Sequence, residues 1–195
     1  MKKIFLLLFM LASVMCYAQQ NTATTDVGVV INGVRWATRN VDAPGTFATT
    51  PESAGMFFQW NRQRGWPATD EVAGWNTSAP AGTTWARDYD PCPPGWRVPT
   101  LNELRGLLDA GSVWVTRDGV DGRLFGTAPN YLFLPAADWR TTVGTLSGVG
   151  APGVYWSSSA SPIAGTAMSL RLLENESLIR NSFRANGFLV RCVAE

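Results

Sequence analysis

The residue types that most often perform acid–base and covalent catalysis are nearly absent from this chain. It contains no histidine, and no lysine follows Lys3. A Ser-His-Asp triad, a Cys-His pair, a histidine metal site and a Schiff-base lysine are therefore excluded. The chain has 15 acidic residues, but no two of them stand out as the carboxylate pair that glycoside hydrolysis needs. This inventory predicts a protein that is not an enzyme and that uses no cofactor.

The segment RDGVDGR contains the best candidates for a metal ligand, Asp118 and Asp121. Calcium takes about 6–8 oxygen ligands, usually with several carboxylates among them, and this segment supplies only two carboxylates. Aspartate beside glycine is also typical of a tight turn. We therefore predict a turn at this segment and no metal site in the chain.

The cysteines are interpreted together with the N-terminus. MKK, then IFLLLFMLASVM, then CYA form the pattern of a secretory signal peptide over 1–18, followed by a polar, flexible segment over 19–27. A lipoprotein signal acylated at Cys16 is the alternative, which the bulky preceding residue disfavours. Export leaves Cys92 and Cys192 in a compartment that permits disulfides, so we favour a bridge between them over two unpaired thiols.

The charge of the chain is nearly balanced, with 16 basic and 15 acidic residues. This balance does not favour nucleic acid or an anionic membrane surface as a partner. After the predicted signal peptide, no apolar run approaches the roughly 18 residues of a membrane-spanning helix. We expect no nucleic-acid partner and no transmembrane segment, and the oligomeric state is left open.

One helix and several short strands are predicted. An Asn-Gly pair at 32–33 lies between β-branched runs, which indicates a hairpin. Thr100 and Glu103 match a capping box, which predicts a helix over about 101–110 with its leucines on one face. Residues 62–91 show no sustained period and predict a long irregular loop. Anchoring is the favoured role of the three tryptophans in this loop.

The second half of the chain is predicted to consist of strands and turns. RDGVDGRLFG is expected to be a turn-rich link, and YLFLPAADWR, GVYWSSS, AMSLRLL and SLIRNSF are expected to contain strands. Arg97, Arg140 and Arg191 lie among aromatic or apolar residues, which favours scaffold roles for all three. For Arg97, we expect an ion pair with Asp88 or Asp90.

Several segments of the chain resemble a known family. GVRWATRNV, DPCPPGWRVPTLNEL, GRLFG, LFLPAADWR, YWSSS and RANGFLVRCV occur in the order typical of the Fibrobacter succinogenes major paralogous domain family. The resemblance covers roughly residues 28–194. It implies an exported protein with an α+β, C-type lectin-like domain over 28–195, built from short antiparallel strands, one helix, a long irregular loop and a late disulfide.

The C-terminal stretch also resembles the target proteins of diversity-generating retroelements, in which a C-type lectin-like scaffold displays a variable stretch near its end. YWSSS and RANGFLVRCV resemble the constant borders, and 159–183 would be the diversified part. Within it, Leu170 and Leu172 are expected to belong to the scaffold. The residues expected to point outward as ligand contacts are Ser169, Arg171, Asn175, Ser177, Ile179, Asn181 and Phe183.

These resemblances lead to a functional hypothesis with two alternatives. The first hypothesis is a secreted or surface-displayed, non-enzymatic binding or adhesion domain, whose ligand is a protein or a glycan on another cell or surface. The second is a structural or adhesive surface component in which 159–183 is fixed. The third is an enzyme, because formylglycine-generating enzymes are similar in fold, although their catalysis uses a cysteine pair and both cysteines here are expected to be structural.

Overall fold

The computed structural model describes residues 25–147 and 152–195, where short antiparallel strands surround one α-helix. The first half contains β1 (Val29–Ile31), β2 (Val34–Trp36), β3 (Phe57–Gln59), β4 (Gly65–Trp66), a 3₁₀ helix (Arg87–Tyr89), β5 (Trp96–Arg97) and α1 (Leu101–Asp109). The second half contains β6 (Ser112–Arg117), β7 (Val120–Thr127), β8 (Asn130–Pro135), β9 (Gly153–Ala160), β10 (Thr166–Leu172), β11 (Ser177–Phe183), β12 (Gly187–Phe188) and β13 (Val193–Ala194). The predicted α+β class with short antiparallel strands is confirmed.

The strands form four small sheets, in the orders β1-β2-β13-β5, β12-β3-β4, β6-β7-β8 and β11-β10-β9. The first sheet joins the two ends of the described chain, because β13 lies between β2 and β5. Val193 pairs with Trp36 on one side and with Arg97 on the other. The C-terminal strand is therefore held by both the N-terminal hairpin and the segment that precedes the helix.

The predicted disulfide is present and lies beside this junction. Cys92 precedes β5 by four residues, Cys192 directly precedes β13, and the bridge joins positions that are 100 residues apart. Cys192 is fully buried. The covalent link thus ties together the two chain segments whose strands, β5 and β13, are already hydrogen-bonded neighbours.

The first hairpin has the turn that its sequence predicts. Asn32 and Gly33 have φ values of 47° and 80° and connect β1 to β2. Two successive positive φ angles are the requirement of a type I′ turn, which asparagine and glycine meet at low steric cost. This turn places Trp36 in the core, where 1% of its surface is exposed.

The helix begins at the predicted capping box. The hydroxyl of Thr100 accepts a hydrogen bond from the backbone N–H of Glu103, and the Glu103 carboxylate accepts one from the backbone N–H of Thr100. Leu104 and Leu107 are buried on the inner face of the helix. Gly111 follows the C-terminus with a φ of 74°, a conformation that favours glycine. The prediction of this helix is confirmed.

Arg97 binds a different acid from the one expected. Its two Nη atoms lie 2.9 and 2.6 Å from the two carboxylate oxygens of Glu103. The expected pair with Asp88 or Asp90 is wrong, because the Asp90 carboxylate accepts hydrogen bonds from the backbone N–H groups of Cys92 and Val98. Glu103 therefore both caps the helix and holds the arginine of β5.

The Glu103 interactions predict a pH-dependent loss of stability. Burial alone would raise the pKa of Glu103, but hydrogen bonds from Arg97 and Thr100 outweigh it, and the pKa is lowered from 4.5. The folded state then binds fewer protons than the unfolded state, so this stabilisation is present above about pH 4.5 and is lost as the pH falls through the folded-state pKa. We expect Glu103→Gln to reduce the free energy of unfolding by about 1–2 kcal/mol at pH 7. At pH 3, where Glu103 is protonated in the unchanged chain as well, the reduction should be clearly smaller.

Urea denaturation at pH 7 and at pH 3 measures this difference. Glu71→Gln is the matched control, since Glu71 is exposed, and such surface changes typically stay within about 0.5 kcal/mol. An equal loss at both pH values for Glu103→Gln would contradict the ionic part of the explanation.

The segment RDGVDGRLFG forms part of a hairpin, so its prediction as a turn-rich link is wrong. β6 and β7 pair along six residues each, and only Asp118 and Gly119 form the turn, with φ values of 49° and 79°. Val120, Gly122 and Leu124 alternate with charged residues along β7. The sequence did not indicate a strand here because glycine and aspartate are uncommon in strands, although the backbone pairs regardless of side chain. The turn predicted at Asp118 is confirmed.

Two hydrophobic clusters make up the core, and buried arginines lie at their borders. One cluster surrounds α1 and β8, and the other surrounds Trp60, Trp156 and the disulfide. Arg191 is 1% exposed, and it donates to the Asn40 side chain at 2.9 Å and to a backbone carbonyl at 3.1 Å. Burial lowers the pKa of Arg191 to about 10. Its predicted scaffold role is confirmed by these contacts.

The loop over 62–91 contains β4 and the 3₁₀ helix and is otherwise irregular. Its tryptophans anchor it, as predicted: Trp66 and Trp85 are only 4% and 6% exposed, and the Nε1 of Trp75 donates to a backbone carbonyl at 3.1 Å. A second anchor comes from outside the loop. Arg140 is 1% exposed and donates five hydrogen bonds, four of them to carbonyls of loop residues 67–70.

The folded domain begins before the predicted boundary at residue 28. The Asp26 carboxylate accepts hydrogen bonds from the backbone N–H groups of Gly28 and Thr38 and also pairs with Arg39. The predicted signal peptide over 1–18 lies outside the described residues. Among the residues that are described, no helix is long and apolar enough to cross a membrane.

Candidate ligand-binding site

The β10–β11 ribbon carries most of the predicted contact residues, and its register decides where they point. Leu170 pairs with Ile179, and Ser169 pairs with Arg180. Directly opposed residues of an antiparallel pair project to the same face of the sheet. One face of the ribbon therefore carries Leu170 and Ile179, and the opposite face carries Ser169 and Arg180.

The face with Leu170 packs against the core beneath α1. Leu170 and Leu172 are fully buried, which confirms their predicted scaffold role. Ile179 is half-buried and packs against the same cluster. Ser177 pairs with Leu172 and lies on this face as well. Ile179 therefore stabilises the ribbon, and neither it nor Ser177 lines the pocket described below.

The opposite face of the ribbon forms the floor and walls of a pocket of about 260 Å³. We call it the Arg171 pocket and define it by Trp139, Ser169, Arg171, Arg180, Ser182 and Phe188. Val154 of β9 contributes to the floor, since it pairs with Arg171 across the sheet. The pocket thus lies on a three-stranded sheet in which the pairing of β10 with β9 shifts register between Ala167 and Ser169, with β12 packed beside it.

Four of the seven predicted contacts line this pocket, namely Ser169, Arg171, Asn181 and Phe183. Asn181 and Phe183 pair with Met168 and Thr166, so their side chains leave the ribbon on the face of Ile179, and they border the pocket from the edge strand β11. Phe183 is 62% exposed. Asn175 lies apart, in the exposed turn between β10 and β11. The structure therefore brings together a subset of the predicted residues and separates Asn175, Ser177 and Ile179 from it.

The expectation that Ser169 points outward into solvent is wrong. Its exposed fraction is 0%, and its Oγ lies 2.8 Å from the Oγ of Ser182. The reason is topological: β10 is the central strand of its sheet, so Ser169 lies between Arg180 of β11 and Trp156 of β9. Ser169 contributes to the pocket as a buried floor residue that positions Ser182.

Arg171 lies half-buried along one wall of the pocket. Its guanidinium carbon is 5.5 Å from the centre of the Trp139 ring, a distance at which a cation and an aromatic ring attract each other. The Nε of Arg171 is buried and has no hydrogen-bond partner among the described residues. Arg180 projects from the same face and is exposed. The pocket therefore presents two guanidinium groups beside an indole ring.

Arg180, Ser182 and Trp139 are pocket residues that the sequence reasoning missed. An odd-numbered residue of β10 pairs with an even-numbered residue of β11, so Ser169 and Arg171 share their face with Arg180 and Ser182. The prediction took odd-numbered positions in both strands and therefore combined residues from opposite faces of the ribbon. In the sequence, only the number of residues in the turn between β10 and β11 indicated this register. No local signal placed Trp139, because it approaches from a distant segment.

A larger cavity of about 610 Å³ lies beside the disulfide. It is lined by Asp90, Arg97 and Glu195, among others. Burial raises the pKa of Asp90, although two backbone hydrogen bonds oppose the change. Arg97 is held by Glu103, and the Glu195 carboxylate is held by Arg87 at 2.8 Å. Each of these charged groups thus already has a partner within the protein, Asp90 through backbone N–H groups and Arg97 through Glu103, which indicates a structural role.

A third cavity of about 620 Å³ lies beside the irregular loop and is lined by amide side chains together with Arg62, Arg64, Trp66 and Tyr89. Arg62 donates to Ser78, and the Arg64 guanidinium lies 3.9 Å from the centre of the Trp66 ring. Two of these amides hold the backbone: Gln59 donates to Ala185 at 2.9 Å, and Asn61 accepts from the N–H of Ala86 at 2.7 Å. These amides therefore stabilise the loop. Across the described ranges, no group of three histidine, cysteine or acidic residues is arranged to hold a metal ion.

The lining of the Arg171 pocket contains none of the side chains that commonly act as a general base. None of its lining residues is acidic, and the chain has no histidine to act as a general base. Its polar groups are guanidinium, hydroxyl and amide groups, which donate hydrogen bonds at neutral pH. Comparisons of the chain with known protein families, curated proteins and solved structures find no match.

Proposed function

We propose that this chain is an exported, non-enzymatic ligand-binding domain that uses the Arg171 pocket as its binding site. The observation that supports the proposal is that the sequence-based selection of contact residues and the tertiary structure point to the same pocket. Four residues selected from the sequence as contacts line a pocket that the tertiary structure forms. Binding sites are typically concave, with a few convergent polar groups set among apolar and aromatic ones.

Two further features support an exported binding domain of the C-type lectin-like class. The disulfide between Cys92 and Cys192 is typical of oxidising compartments outside the cytosol. The segments that resemble the Fibrobacter succinogenes major paralogous domain family span both cysteines and border the ribbon of the pocket. That residues 159–183 are diversified stays a prediction from the resemblance to retroelement target proteins.

Filling the pocket should abolish binding without unfolding the chain. Ser182 is partly exposed in the pocket, so Ser182→Trp would occupy its volume with an indole ring. We expect the full chain to bind members of an array of glycans and extracellular peptides, and we expect this variant to lose at least about tenfold in affinity, because the ligand is excluded sterically.

Val113→Trp is the matched control, because Val113 is 58% exposed on a different sheet. Equal melting temperatures of the two variants would show that both are folded. If Ser182→Trp bound every ligand of the array as tightly as the unchanged chain, the Arg171 pocket would not be the binding site. A folded chain that binds no array member would favour a fixed structural component instead.

A further inference from the structure

Arg171 and Arg180 differ from nearly all other arginines of the described chain. Apart from Arg64, each of the others donates a hydrogen bond or forms an ion pair within the protein. Arg171 and Arg180 do neither among the described residues, and the Nε of Arg171 is buried without a partner. A buried donor without a partner is costly, since it loses its hydration without gaining a hydrogen bond. Arg180 is exposed, and the Nη groups of Arg171 are not among the buried atoms without a partner. Guanidinium groups of both arginines are therefore accessible at one pocket to an acceptor that a ligand supplies.

An anion is the acceptor that suits two guanidinium groups at one pocket. Guanidinium groups bind carboxylate, sulfate and phosphate oxygens with paired, charge-assisted hydrogen bonds. No acidic residue lines the Arg171 pocket to compete for these donors. The pocket is thus electrostatically positive and open to a negatively charged group.

The neutral groups around the two arginines narrow the ligand further. Ser182, Asn181 and Asn186 supply hydroxyl and amide groups, which suit a ligand with several hydroxyls. Trp139 and Phe183 supply apolar ring surface at the same pocket, which suits the C–H face of a sugar ring. Ser182 already bonds to Ser169, and the Asn181 amide oxygen already accepts from Ser161. An isolated inorganic anion would use the arginines and leave the Asn186 amide and the aromatic rings without contact.

The volume and position of the pocket favour a single ring. At about 260 Å³, it is slightly smaller than the roughly 300–1,000 Å³ of sites for drug-sized ligands. Arg171 and Arg180 project from the face of the sheet, so a ligand that binds them is held by side chains. The lining also includes residues 180–183 of the edge strand β11. An extended peptide that docks on a sheet uses the edge, where backbone groups are free to pair.

We infer that the Arg171 pocket binds a carboxylated sugar residue at the end of a glycan, with Arg171 and Arg180 holding the carboxylate. The inference rests on the proposed function, because it assigns the ligand class of the same site. The hydroxyls of the sugar meet Ser182 and the two asparagines, and its apolar face meets the aromatic rings. Salt weakens this binding, since Arg180 is exposed and its interaction with the carboxylate is screened.

Nuclear magnetic resonance titration of the ¹⁵N-labelled full chain tests the inference with defined probes. Methyl β-D-glucuronide carries the carboxylate, and methyl β-D-glucoside is the matched neutral sugar. N-acetylglutamate represents an acidic peptide side chain, and sodium sulfate represents a simple anion. The glucuronide is expected to shift the Nε–H signal of Arg171 and to bind at least about tenfold more tightly than each of the other three probes.

Arg171→Gln and Arg180→Gln are each expected to weaken glucuronide binding by at least about tenfold, because hydrogen bonds to charged groups are among the strongest in proteins. Arg105→Gln is the matched control, since Arg105 is exposed on α1 and bonds only to Asn102. Arg180 is solvent-exposed whereas Arg171 is partly buried, so Arg180→Gln should leave the fold intact. Weaker binding in Arg180→Gln therefore cannot be attributed to misfolding.

Each possible result decides a separate question. Equal affinity for the neutral glucoside would contradict the role of the carboxylate. Equal affinity for N-acetylglutamate or sulfate would contradict the role of the sugar ring. No shift with the glucuronide would also overturn the inference. If Ser182→Trp still abolished binding to an array ligand in that case, the proposed function would stand with a different ligand class.

Discussion

Replacement of Cys92 and Cys192 by alanine is expected to lower the free energy of unfolding by about 4–5 kcal/mol. The two cysteines lie 100 residues apart, and in the chain-entropy model a closed loop of about that length restricts the unfolded state by this amount. Alanine is chosen because Cys192 is fully buried, so a serine hydroxyl there would add an unrelated desolvation penalty. The measurement is guanidinium denaturation of both proteins under oxidising conditions.

The reduced form of the unchanged chain is the control for packing. It keeps both sulfur atoms but lacks the bond, so its stability should lie close to that of the alanine variant if the cross-link dominates. A loss below about 1 kcal/mol in both proteins would contradict the prediction. It would show that pairing of β13 with β2 and β5 holds the C-terminus without the bond.

Arg140→Lys is expected to reduce the free energy of unfolding by about 3–5 kcal/mol. The Arg140 guanidinium donates to the carbonyls of Pro67, Thr69, Asp70 and Gly144 at distances of 2.7 to 3.0 Å. A lysine ammonium has fewer donors and no planar fork, so it leaves several buried carbonyls without partners. The irregular loop should therefore detach before the rest of the domain unfolds.

Thermal denaturation measures the loss of stability, and limited proteolysis locates it. Cleavage within residues 67–76 should become faster in Arg140→Lys, since locally opened segments are cut first. Arg35→Lys is the matched control, because the Arg35 side chain donates only one hydrogen bond, at an exposed site. Unchanged stability together with unchanged cleavage would show that the tryptophans alone hold the loop.

The loop and the pocket are connected through the segment that contains Trp139 and Arg140. Arg140 pairs its backbone with Gly187 of β12, and Phe188 of that strand forms part of the Arg171 pocket. Trp139 contacts Arg171 from the same segment. The hydrogen bonds that anchor the loop thus also hold one wall of the pocket. We expect binding to weaken in Arg140→Lys even under conditions where most of the chain remains folded.

Local patterns were sufficient wherever neighbouring residues decide the structure. The Asn-Gly hairpin at 32–33, the capping box at Thr100 and the terminating Gly111 all depend on φ angles and short-range hydrogen bonds. The disulfide also followed from the sequence, because only two cysteines remain after the predicted signal peptide. The burial of Leu170 and Leu172 followed from alternation along one strand.

Tertiary structure decided what depends on pairing between distant segments. The register of β10 and β11 assigned Ser169 and Ile179 to opposite faces, and β9 covered Ser169 from the other side. Trp139 reached the pocket from outside the strand pattern. Arg97 took Glu103 as its partner because the helix cap places that carboxylate beside β5. Side-chain type and spacing determine which local turns and caps form, whereas the faces that meet depend on long-range packing, for which a single strand pattern carries no information.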